Sequence, residues 1–141
     1  MSFDLYFQPA VHGELLEISR SDLRSLFPII EEESQADYWS IRYDTVNGCH
    51  IGVKALPCAD GSPSSSLLSF HVEKPCADQR LWEALFNVLK KRPIVLYFPG
   101  GPPIVARAAL RATLPEDVIG SLGEPRCVNS AADILKIVHG S

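Results

Sequence analysis

Hydrophobic and polar positions alternate, cluster and break along this chain in a way that predicts an α+β domain. The clearest signal runs from Asp78 to Pro103. Asp78 can cap the amides that follow it, and Leu81, Leu85 and Leu89 recur four apart, with Trp82, Phe86 and Val88 widening the stripe. Lys90, Lys91 and Arg92 oppose the negative end of the helix dipole, and Pro93 biases its predecessor out of the helical region. The run Ile94-Val95-Leu96-Tyr97-Phe98 then predicts an interior strand with cover on both faces. The turn Pro99-Gly100-Gly101-Pro102-Pro103 cannot continue it.

Period-two patterning marks the other strands. Phe3, Leu5 and Phe7 alternate with Asp4, Tyr6 and Gln8, which predicts a half-buried strand at the start of the chain. Ser19 with Asp22 forms a capping box for a helix whose apolar side is Leu23, Leu26, Phe27 and Ile30, and Pro28 must kink or end it. Glu31, Glu32 and Glu33 continue on the wet side. Trp39, Ile41 and Tyr43 share one strand face, and Cys49, Ile51, Val53 and Ala55 share another. A three-residue loop, Val46-Asn47-Gly48, sets Tyr43 opposite Ile51 and Ile41 opposite Val53, so that the apolar groups share a side. The outer side then carries Ser40, Arg42, Asp44, His50 and Lys54.

Residues 57–66 have the composition of a loop, and Leu68, Phe70 and Val72 form the buried face of the next strand. Residues 104–112 fit either a strand or a short helix. Pro115 to Leu122 reads as a short helix ended by Gly123, and Arg126-Cys127-Val128 as a short strand. Ser130 with Asp133 caps a last helix that buries Ile134, Leu135 and Val138. The sum is one domain over residues 1–141, with a mainly antiparallel sheet of about five strands and two to four helices packed on it. At 141 residues and 46% hydrophobic content, such a chain can bury roughly two-thirds of its unfolded surface.

Charge narrows the partners. Between Gly13 and Asp37 seven acids face two bases, a local balance of -5, whereas the whole chain carries -4. There is no basic stripe, so nucleic acid is not an expected partner, and a basic protein surface is. No apolar run approaches the roughly 20 residues of a membrane span, and the N-terminus lacks a secretory pattern, so a cytoplasmic location away from membranes is expected. The four cysteines are then expected as free thiols.

Candidate chemistry is sparse. Cys49 and His50 are adjacent in a strand and point to opposite faces, which excludes a dyad. His71-Val72-Glu73 with Pro75-Cys76 has the letters of a zinc-deaminase motif without its spacing. No Cys-x-x-Cys or His-x-x-x-His occurs, and the proline-glycine turn lacks the lysine of a phosphate loop. The expectation is therefore no catalytic residue, no metal ligand and no cofactor. The binding candidates are Glu31, Glu32, Glu33, Asp37 and Tyr38, charges for steering beside an aromatic anchor. The alternative to binding is an enzyme using His50 and His71 as acid-base groups beside a cleft, or a structural subunit of a larger assembly.

The opening Met1-Ser2-Phe3-Asp4-Leu5-Tyr6-Phe7, the later Leu96-Tyr97-Phe98-Pro99-Gly100 and the helix start Ser130-Ala131-Ala132-Asp133-Ile134 resemble small bacterial proteins, some of them immunity proteins of polymorphic or contact-delivered toxin systems such as type VI secretion. The resemblance implies a non-enzymatic antitoxin that binds a cognate toxin in the producer's cytoplasm and blocks its active site. It carries over no catalytic residue.

Overall fold

The computed structural model describes residues 3–32, 37–56, 59–60 and 65–140. Among these residues eight strands form one open sheet: β1 (Leu5–Pro9), β2 (Ile29–Glu32), β3 (Tyr38–Arg42), β4 (Gly48–Ala55), β5 (Leu67–Glu73), β6 (Ile94–Tyr97), β7 (Ile104–Val105) and β8 (Arg126–Cys127). Their order across the sheet is β2-β3-β4-β5-β1-β6-β7-β8, antiparallel throughout except for the last pair. The helices are α1 (Arg20–Ser25), α2 (Gln79–Lys91), α3 (Glu116–Leu122) and α4 (Ala131–Gly140), with a 3₁₀ helix over Ala108–Thr113. The α+β class and the antiparallel bias match the sequence pattern. The sheet has more strands than the five expected: β2 forms where the pattern reads as helix, β7 lies in the stretch that fits either strand or helix, and the short strand read at Arg126-Cys127-Val128 joins the sheet as β8.

One face of the sheet carries the main core. Leu5, Phe7, Trp39, Ile41, Ile51, Phe70, Val72 and Leu96 point into it, and Leu81, Trp82, Leu85 and Leu89 of α2 close it together with Ile134 and Val138 of α4. Asp78 caps α2 by accepting from the Arg80 amide at 2.9 Å. Strand β6 lies between β1 and β7 and is covered on both faces, as its unbroken apolar run requires: Ile94 and Leu96 face the main core, and Val95 packs in a second cluster with Ala10, Val105, Leu110 and Leu114. Among the described residues that second layer covers the β6–β7 end of the opposite face.

The α4 cap is reciprocal. Ser130 Oγ accepts from the Asp133 amide at 3.2 Å, and Asp133 Oδ2 accepts from the Asn129 amide at 2.9 Å. Ser130→Ala is expected to lower the unfolding free energy by about 1 kcal/mol, measured by urea denaturation, because it strands one of these amides beside a helix whose packing closes the core.

Four local expectations are corrected. Helix α1 stops at Ser25, before Pro28, and the chain turns into β2, where Ile29 pairs with Ile41 and Glu31 with Ser40. Leu26 and Ile30 are consequently exposed instead of lying on a helix stripe. Glu31 and Glu32 belong to an edge strand, not to a helix end. In the β3–β4 hairpin, Ile41 faces Cys49 and Trp39 faces Ile51, a slip of four residues from the expected register. The tight turn is closed by Asp44, whose carboxylate accepts from the Val46 and Asn47 amides at 2.8 and 2.7 Å and from the Asn47 side chain at 2.9 Å. An even slip preserves the faces, so the same residues stay inside. In β5 a register shift between Lys54 and Ala55 absorbs Leu68, and Leu67 is the buried residue in its place.

Candidate functional site

The face of β3, β4, β5 and β1 opposite the core carries no second layer among the described residues. Register alone arranges what lies there. Tyr38 pairs with Gly52, Gly52 with His71, His71 with Tyr6 and Tyr6 with Tyr97, which makes one row across five strands. The neighbouring row is Ser40, His50 and Glu73. Outward positions are set by the inward ones: Phe70 and Val72 bury, so His71 and Glu73 face out.

The two rows interlock. Tyr38 reaches over β4, stacks on the His50 ring at 5.1 Å and 14°, and its hydroxyl donates to Glu73 Oε2. His71 Nε2 lies 3.2 Å from Glu73 Oε1, and the carboxylate acceptor fixes the proton on Nε2, leaving Nδ1 as an acceptor. Tyr6 lies 6.0 Å from the His71 ring. Gly52 is needed at the centre, because a Cβ there would stand 2.3 Å from His71 Cε1. The imidazole folds down over the bare backbone and covers it.

Glu73 therefore has a donor on each oxygen. The Tyr38 hydroxyl first, then the His71 hydrogen bond and the nearby imidazoles, hold its carboxyl below the ordinary glutamate range, with burial acting against them. A carboxyl depressed in the folded state stabilises the fold above its unfolded value of about 4.3 and loses that contribution as pH falls through the lower folded value. Glu73→Gln removes this dependence. The stability gap between the wild-type chain and Glu73→Gln, roughly 1 kcal/mol at pH 7 for a partly exposed carboxylate with two donors, is expected to narrow as pH falls below about 4.3 in urea titrations.

Beside His50 a groove of about 330 Å³ runs toward the sheet edge, bordered by Ile30, Glu31, Ser40, Arg42 and Val46. Ile30 is 55% exposed and Val46 86%, so two bare aliphatic groups flank a mixed-charge floor. Of the binding candidates from the sequence, Glu31 and Tyr38 reach this side of the sheet, Glu31 by its pairing with Ser40. Asp37 is half-exposed and bound to Arg20 at 2.8 Å. Glu32 pairs through its backbone with Trp39, and Glu33 lies outside the described residues. Trp39, beside the acidic run in sequence, is fully buried in the core.

The two histidines, 21 positions apart in the chain, are brought onto one face of adjacent strands. Sequence patterning placed both outward. It missed Glu73, whose role depends on Tyr38 arriving from two strands away, and no local signal announces that. Among the described residues no group of three His, Cys, Asp or Glu side chains could hold a metal ion, and no helix is long and apolar enough to cross a membrane. In comparisons with family models, curated proteins and solved structures, no match to this chain was found.

Proposed function

We propose that the chain is an immunity-type inhibitor, which binds a cognate bacterial toxin in the cytoplasm and covers its active site with the outer face of β2 to β5. The observation that carries this reading is the uncovered row of Tyr38, His71 and Tyr6, locked around Glu73. Interface centres are rich in tyrosine and arginine, and rings already held by stacking and hydrogen bonds lose little entropy on docking. Ile30 and Val46 supply apolar contact at one end, and Arg42 a planar donor. Glu31 and the acidic segment that leads to it suit a toxin whose active site is basic because it handles nucleotides or nucleic acid.

The test is capture from the producing organism's lysate through a salt wash, followed by assay of the captured protein's activity. A stoichiometric partner whose activity is inhibited by the wild-type chain and not by the Ile30→Asp/Val46→Asp variant supports the reading. Equal inhibition by that variant and by Glu31→Lys would remove this face from the interface.

A second reading, an acid-base enzyme, draws on the His71 to Glu73 hydrogen bond, which orients the ring and leaves Nδ1 available. It requires turnover that His71→Gln abolishes while leaving the fold intact.

A further inference from the structure

On the core side of the same strand ends lie two thiols. Cys49 points inward from β4, and the β4–β5 register carries His50 opposite Glu73, so Cys49 stands level with the residue that follows β5. That residue, Lys74, takes a left-handed backbone with φ 47°, which swings Pro75 and Cys76 across the end of the core. Cys76 is then fixed there. Its carbonyl accepts from Trp82 Nε1 at 2.9 Å, and its side chain packs against the cluster that contains Cys49. The Cys76 amide and thiol lie close enough to the Cys49 sulfur to act on it directly. Tyr43 packs against the same cluster, and its hydroxyl is buried with no hydrogen-bond partner among the described residues.

We infer that Cys49 and Cys76 are a redox pair, which closes to a disulfide on exchange with a small disulfide such as oxidised glutathione and reopens with thiol. The order of events follows from access. Cys49 is buried and Cys76 half-exposed, so the Cys76 thiolate attacks the small disulfide first, forms a mixed disulfide and expels one thiolate. Cys49, as thiolate, then attacks the Cys76 sulfur and expels the second. Two protein thiols lose two protons and two electrons, and one small disulfide becomes two small thiols. Burial first, and then Cys76, push the Cys49 thiol up to about 12, so the second step is slow at neutral pH and gains roughly tenfold per pH unit. The closed link ties the start of β4 to the turn into α2, beside the His50 and Glu73 strand ends that carry the outer face.

The experiment uses Cys58→Ser/Cys127→Ser, which keeps only this pair and makes the tryptic assignment unambiguous, since residues 43–54 hold Cys49 and residues 55–80 then hold Cys76 alone. Incubation of the folded protein with oxidised glutathione at pH 8 should give an internal link between these two peptides, loss of both free thiols without glutathione adduct, and a melting temperature higher by roughly 10 °C that dithiothreitol reverses. The same link should map in the wild-type chain digested with a protease that separates Cys58 from Cys76. A lasting glutathione adduct at Cys76 with Cys49 still free, or two unreacted thiols after prolonged oxidation, would overturn the pairing.

Discussion

Trp82→Ala is expected to lower the unfolding free energy by about 4 kcal/mol, roughly a quarter or more of what a domain ordinarily possesses. The indole is fully buried on α2, in the layer that closes the main core, and its ring centroid lies 6.3 Å from that of His139 on α4. Truncation leaves a cavity between two helices and a sheet that cannot collapse together, because α4 is held by its own cap and by Ile134 and Val138. It also strands the Cys76 carbonyl, to which Nε1 donates at 2.9 Å. Trp82→Phe separates the two effects: most of the volume stays, the carbonyl still loses its donor, and the cost should be about 2 kcal/mol. Urea denaturation of both variants provides the check, and a cost below about 1 kcal/mol for alanine would mean that α2 is not seated as described.

Why α2 and the strands behind it could be read from residues, and the outer face could not, is a matter of range. The helix has a cap, a stripe and a stop within fourteen consecutive residues, Asp78 to Lys91, and each signal acts over a turn or two. The strand faces follow from alternation, which survived even where pairing was misjudged, because the hairpin slipped by an even number of residues and Trp39, Ile41 and Ile51 stayed inside. The turn itself was misplaced because Asn47-Gly48 is a strong hairpin pair on paper, while Asp44 offers a carboxylate that three donors satisfy at once. Strand β2 was hidden by competition: Leu23, Leu26, Phe27 and Ile30 fit a helix, and only tertiary pairing with β3 settles residues 29–32 as an edge. Likewise His50, His71 and Tyr38 were each visible as outward or exposed groups. Their assembly around Glu73 needs the registers of three strands and a glycine at position 52, none of which has a local signature.

Tyr38→Ala is expected to weaken the proposed inhibitor complex by about a hundredfold, roughly 2.7 kcal/mol, with a smaller loss of fold stability. Three contacts go at once: the stacked face on His50, the donor to Glu73, and the ring that an incoming surface would cover. The donor matters beyond its own bond. With Tyr38 gone, Glu73 keeps one bound oxygen, its carboxyl rises toward the ordinary range, and a charged group that docking must desolvate is left half satisfied. Tyr38→Phe isolates that contribution, since it retains the ring and its stacking; affinity should fall by about tenfold, and the pH dependence of stability traced to Glu73 should shrink in the same variant. Association rate should respond differently. Neither change alters formal charge, so the salt dependence of binding should match that of the wild-type chain, whereas Glu31→Lys should slow association and flatten it. Titration calorimetry at two ionic strengths with stopped-flow association distinguishes the cases. If Tyr38→Ala binds as tightly as the wild-type chain, the row from Tyr38 to Tyr6 is scaffolding for the sheet, and the proposed outer-face interface falls.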